Sequence, residues 1–224
     1  MKKTIKLLSV SFVLMAQASF GEGVRAQEDN TYKSVEIGKQ EWMAENLNVS
    51  EFRNGDPIPE AKTNSEWDKA GNEGNPAWCY YDNDLANEEK YGKLYNWYVV
   101  NDPRGLCPEG WHVPSVAEWI TLVDYLGGED VAGKKMKSTS FWNLGGKGTN
   151  ESGFSGLPGG GRDDGGTFGD VNVACVVGDY GGWWSSTVSG TNDAWGRRLY
   201  YYSGYVFSYT TSKKDGISVR CLRD

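Results

Sequence analysis

Two helices among many short strands and long loops, an α+β domain, is the architecture this sequence predicts. Three observations carry that expectation. One segment, after Pro114, has both the start and the stop signals of an amphipathic helix. Short runs near both ends of the chain alternate in hydrophobicity with period two. The chain also holds 30 glycines, more than half of them beyond residue 140, which leaves little room there for long elements. A length of 224 residues suits one domain with a sizeable core.

In chain order, Lys2, Lys3 and Lys6 precede a short apolar run over residues 7–16. Small residues at −3 and −1 then favour cleavage after Ala18 or Ala26. This reads as a secretory signal peptide over residues 1–26, because the apolar run is about half the ~20 residues a membrane span needs. No cysteine lies near the cleavage points, so a lipoprotein anchor is not expected, and the single domain should occupy residues 33–224. Val35 and Ile37 alternate with Ser34 and Glu36, Gly38-Lys39 makes a turn, and residues 40–43 return as a second strand. Residues 50–76 are polar, with Asn54-Gly55-Asp56-Pro57 as a turn, and read as a surface excursion. Leu94, Trp97, Tyr98 and Asn101 share helical spacing. Ser115 and Glu118 then form a capping box. Trp119, Leu122, Val123 and Leu126 line one face of the helix that follows, and Gly127-Gly128 ends it. Strands are expected at 181–186, 194–202, 205–209 and 217–221.

The net charge is −7, and removing residues 1–26, with four basic side chains against Glu22, takes it to −10. That argues against nucleic acid, whose phosphates need clustered Lys and Arg. His112 is the single histidine, which excludes a His-rich metal site. It lies between Trp111 and Val113 with no nucleophile elbow nearby, so a structural role is expected. Cys79, Cys107, Cys175 and Cys221 are even in number and contain no C-x-x-C pair. In an exported chain this reads as two disulfides, with three connectivities open. Residues 128–134 imitate a phosphate loop, but Lys135 stands where Ser or Thr is needed and a helix precedes it, so a helix-to-strand loop is expected. Gly159-Gly160-Gly161 reads as a turn. Asp82 and Asp84, and separately Asp163, Asp164 and Asp170, are candidate Ca²⁺ ligands, against the alternative of solvated acidic loops. No other cofactor is expected.

The C-terminal ribbon is the candidate ligand surface. If Leu199, Tyr201 and Val206 face the core, strand alternation turns Tyr200, Tyr202, Tyr205, Phe207 and Tyr209 outward. Trp195 and Arg197 join this set, with Asn192 and Asp193 as further polar groups. Outward rings on rigid strands give large contact area at low entropic cost. Cross-strand packing without any ligand is the competing reading.

Several blocks also carry a resemblance: VEIGKQEWMAENLNV at 35–49, YYDND at 80–84, YGKLYNWYVVNDPRGLCPEGWHVPSVAEW at 91–119, GTNESGFSGLPGGGR at 148–162, WWSST at 183–187 and ISVRCLRD at 217–224. Together they resemble the Fibrobacter succinogenes major paralogous domain. HVPSVAEW and SVRC are more distantly similar to blocks of formylglycine-generating enzymes. The resemblance implies a C-type-lectin-like fold of the formylglycine-generating type, with small twisted antiparallel sheets, two helices and long loops. It implies exported or surface-associated bacterial proteins without an established activity. It favours Cys107–Cys221 as one disulfide, leaving Cys79–Cys175, although Cys79 is also a plausible partner of Cys221. The thiol pair of the enzyme relatives has no counterpart close in sequence. The expectation is therefore a monomeric, secreted or cell-surface, non-catalytic module binding a protein or glycan through the C-terminal aromatic face. The alternatives are a structural surface protein without a specific ligand and a formylglycine-generating-like oxidoreductase.

Overall fold

A computed structural model describes residues 32–169 and 175–224. The signal peptide expected over residues 1–26 and the candidate ligand Asp170 lie outside the described residues. The elements in chain order are β1 (Ser34–Ile37), β2 (Gln40–Met43), α1 (Asn64–Glu73), β3 (Trp78–Cys79), α2 (Glu88–Tyr91), β4 (Leu94–Tyr95), α3 (Trp97–Val100), β5 (Trp111–His112), α4 (Val116–Tyr125), α5 (Glu129–Met136), β6 (Tyr180–Val188), β7 (Asp193–Tyr200), β8 (Phe207–Ser212) and β9 (Leu222–Arg223). The fold is thus mixed, with small antiparallel sheets and few helices. One sheet runs β1-β2-β9-β5, a second pairs β3 with β4, and a third runs β6-β7-β8.

The β1–β2 hairpin forms as the alternation predicts, with Gly38 at φ 67°, a conformation glycine adopts without strain. In α4 the Ser115 side chain accepts from the Glu118 amide, and the Glu118 carboxylate accepts from the Ser115 amide. The helix buries Trp119, Leu122 and Val123, as their spacing requires.

Two further helices correct the sequence reading. The polar stretch 50–76 is not only an excursion: Thr63 and Glu66 form a second capping box, and α1 follows with Trp67 buried. The segment read as a loop at 128–134 is mostly α5, with Glu129 and Asp130 in its first turn and Lys134 and Lys135 in its last. Those charges suit the helix dipole at both ends. A Cβ at Gly133 would come within 2.5 Å of the Gly204 carbonyl oxygen, so only glycine lets α5 lie against that backbone. The strand expected at 217–221 is replaced by single bridges from Ile217 and Ser218, and the regular pairing falls on β9.

The third sheet separates two cores. Trp183 and Leu199 pack with Trp119, Leu122, Phe154 and Met136 beneath α4 and α5. Tyr180, Trp184 and Ala194 pack with Trp78, Tyr95, Trp111 and the half-cystines on the other side. Large aromatics bury about 150–250 Å² each, so rings of this size dominate the energetics of both cores. The disulfide joins Cys107 to Cys221, with Cα atoms 6.1 Å apart. The second expected pair does not form in the structure: Cys79 and Cys175 are separate thiols. Cys79 sits among Trp67, Tyr81 and Leu94, and burial pushes its thiol up to about 12. No helix among the described residues is long and apolar enough to cross a membrane.

Candidate functional site

Register fixes which side chains share a face of the third sheet. Tyr180 pairs with Tyr200, Gly182 with Arg198, and Arg198 with Phe207, while Gly196 pairs with Tyr209. Directly opposed residues point the same way. Tyr180, Arg198, Tyr200, Phe207 and Tyr209 therefore occupy one face. Trp183, Trp195, Arg197, Leu199, Ser208 and Thr210 occupy the other.

On the first face the rings form a continuous ledge. Tyr200 and Tyr202 stack with centroids 5.2 Å apart and planes 17° from parallel. Phe207 meets Tyr200 edge-on at 5.4 Å, and Tyr205 lies against Phe207 at 4.7 Å. Tyr202, at 67% exposure, is the outermost ring, whereas Tyr200, Tyr205 and Phe207 are half-buried. Val206 and Leu199 are buried, as the alternation predicts. Tyr209 is a correction. Its ring is half-buried against the core, and its hydroxyl meets the Tyr180 hydroxyl at 2.7 Å. Burial raises both phenol pKa values, so Tyr209 serves as the floor rather than the rim.

Arg198 is the polar group at the centre of this face, and sequence reasoning missed it. Its Nη1 donates to the Tyr200 hydroxyl at 2.8 Å, and its guanidinium lies 3.3 Å from the Tyr209 ring centroid. Trp195 and Arg197, both expected on the ledge, instead lie on the opposite face, Trp195 half-buried and Arg197 3% exposed. The same alternation that turned Leu199 inward required this, since residues 197 and 199 share parity.

The turn from Tyr200 to Tyr205 is held from below by Lys137. This buried ammonium donates to the carbonyl oxygens of Tyr200 (3.1 Å), Tyr201 (3.4 Å) and Ser203 (2.8 Å). Burial pushes its pKa down to about 8. Tyr205 is fixed from the side, its hydroxyl donating to Glu129. Asp215 lies near Arg198. Burial raises its carboxyl to about 6, with the Asp163 and Asp164 charges adding to the shift, and the Thr211 hydroxyl donates to it.

The described acidic candidates each serve a local turn or stand exposed. Asp84 caps a short helical turn through the Ala86 amide, and Asp82 is exposed beside it. Asp163 accepts from the Thr167 amide in a turn, and Asp164 is exposed. Among the described residues no group of three or more His, Cys, Asp or Glu side chains is placed to hold a metal ion. His112 bridges Asp224 (2.6 Å) and Glu118 (2.9 Å). Burial works to lower its pKa, but the two carboxylates outweigh it and hold the pKa above the usual value. Beside this bridge, Gln40, Glu41, Glu118, Leu222, Arg223 and Asp224 line an open polar groove of about 480 Å³.

A family model described as the Fibrobacter succinogenes major domain matches residues 35–223. No curated protein and no solved structure matches the chain.

Proposed function

The chain belongs to the Fibrobacter succinogenes major domain family, and from that premise we propose that it is an exported, non-catalytic binding module of C-type-lectin-like fold. Its ligand docks on the ledge formed by Tyr200, Tyr202, Tyr205 and Phe207, with Arg198 supplying the directional polar contact. The observation that carries this reading is the ledge itself: a contiguous run of half-buried rings with Tyr202 stacked at its exposed end, on a strand and a turn pinned by Lys137. Such rings offer apolar faces to sugars or protein side chains without much loss of rotamer freedom on binding. The basic n-region, short apolar run and small-residue cleavage sites support export.

The non-catalytic part rests on the cysteines. An oxidase of the formylglycine-generating type needs two reactive thiols close together. Here two cysteines are bonded to each other, and burial pushes Cys79 up to about 12 and Cys175 up to about 11. Thiols so raised are poor thiolates at neutral pH. The test is a screen of the processed chain against a glycan array and against purified envelope proteins, run beside an oxidation assay on a cysteine-containing peptide with Cu(I). Saturable binding to one class, without peptide oxidation, is the expected result. Turnover of the peptide would overturn the non-catalytic reading.

A further inference from the structure

The third sheet has two edges, and they are treated differently. Along β6, Gly181 and Trp183 form parallel bridges to Gly160 and Ser218, so neighbouring chain takes up that edge. β8 pairs with β7 on one side, without a break from Asp193 with Ser212 to Arg198 with Phe207. On its other side no strand follows among the described residues.

The ladder shows which backbone groups this leaves open. The Lys213 amide donates to the Asn192 carbonyl in the same register. Alternate residues of an antiparallel strand bond to the same neighbour. Phe207, Tyr209 and Thr211 therefore bond to β7, while Val206, Ser208, Thr210 and Ser212 turn their amides and carbonyls to the free edge. Both ends of that edge are capped: the Val206 amide donates to the Glu129 carbonyl, and the Ser212 carbonyl accepts from the Asp215 amide. Between the caps, the amides and carbonyls of Ser208 and Thr210 have no partner among the described residues, and both residues are exposed. Open edges are usually blunted by Lys, Pro or a bulge. β8 reads FSYTTS and has none of these.

We propose that β8 pairs antiparallel with β8 of a second copy of this chain, Ser208 of each opposite Thr210 of the other, joining the two three-stranded sheets into one. Two features favour a second copy over a foreign strand. The open stretch is self-complementary: about a two-fold axis at Tyr209, the two free amides of each copy meet the two free carbonyls of the other. The charges at its ends are complementary as well. Glu129 and Asp130 stand where β8 begins, and Lys213 and Lys214 follow where it ends. The two ammonium groups rest on neutral oxygens of Gly190, Thr191 and Asn72, not on carboxylates. Antiparallel pairing brings the acidic end of one copy to the basic end of the other. Both aromatic ledges then lie on the same face, but the pairing does not require that they bind anything. The monomer expected from the sequence is thereby revised.

Sedimentation velocity and amide hydrogen exchange on the processed chain, from about 1 μM to about 1 mM, cover the range in which an interface this small should assemble. The expected result is a monomer–dimer equilibrium that stops at the dimer and weakens with added salt. Exchange of the Ser208 and Thr210 amides should slow as the dimer forms. Thr210→Pro deletes an amide that the monomer leaves unbonded, and should weaken the dimer about tenfold or more. Ser208→Lys should also weaken it, and covers the case in which Thr210→Pro fails to fold. Asp130→Lys should weaken the dimer, and adding Lys214→Glu should restore it. A monomer throughout, a dimer in which the Ser208 and Thr210 amides stay unprotected, or a dimer unchanged by folded Thr210→Pro, by Ser208→Lys or by the charge swaps would overturn the proposal. So would protection of these amides only when an envelope protein is added, which would give the edge to a foreign strand.

Discussion

Replacing Cys107 and Cys221 together with alanine should remove a large fraction of the fold's stability. The bridge spans 114 residues of sequence. In the chain-entropy treatment a loop of that length raises the free energy of the unfolded chain by about 5 kcal/mol, and measured losses of native disulfides run about 2–5 kcal/mol. Cys107 precedes β5 and Cys221 precedes β9, neighbours in one sheet, so the bridge ties the last strand to a segment far earlier in the chain. Alanine is the right replacement. Both sulfurs lie in an apolar core, and serine would add a buried hydroxyl as a second cause of destabilisation. The assay is urea unfolding of wild type and double variant under non-reducing conditions, with thiol counting on the unfolded chains. The expected outcome is a loss of at least about 2 kcal/mol, and two free thiols in wild type. An unchanged midpoint, or peptide mapping that pairs Cys79 with either Cys175 or Cys221, would refute the reasoning.

Three further outcomes follow from the geometry. Lys137→Met removes the donor shared by three carbonyls under the Tyr200–Tyr205 turn and should cost about 2–4 kcal/mol in thermal or chemical unfolding. An undiminished midpoint would show that the turn holds without it. Asp215 has a folded pKa near 6, above the ordinary value of 3.8. The folded state therefore holds this proton more tightly, and its contribution is greatest at low pH and lost as pH rises through 6. Asp215→Asn should flatten the stability profile between pH 4 and 6 and raise the midpoint at pH 8 relative to wild type; an unaltered profile contradicts this. His112 has a raised folded pKa, so its stabilisation is present below the unfolded pKa and lost as pH rises through the folded one. His112→Gln should remove that slope, which ¹H titration of the imidazole can assign; an imidazole that titrates below the ordinary histidine range would contradict the bridge.

Sequence signals were legible where they were local. The β1–β2 hairpin and the α4 capping box depend on residues within a few positions, and both form as expected. The α1 capping box was equally local, Thr63 with Glu66, but the surrounding polarity masked it, because this helix buries little more than Trp67. The glycines and lysines at 127–135 imitate a loop and hide α5, although its charge order from Glu129 to Lys135 is that of a helix with a favourable dipole. Parity correctly buried Leu199 and Val206. Carried two residues back along the strand, the same parity buries Arg197 too. Lys137 beneath the ledge and the Tyr180–Tyr209 contact bring together residues 29 to 66 positions apart, and no local pattern announces such contacts.

The ledge is the central claim, and Tyr202 tests it most directly because it is the exposed outer ring of the stack. The measurement is the affinity of wild type and Tyr202→Ala for whichever glycan or envelope protein the screen identifies, with circular dichroism confirming an intact fold. Loss of one aromatic anchor should cost about 1–2 kcal/mol, a weakening of roughly five- to thirtyfold. Identical affinities in two folded proteins would contradict the account and leave these rings as packing alone.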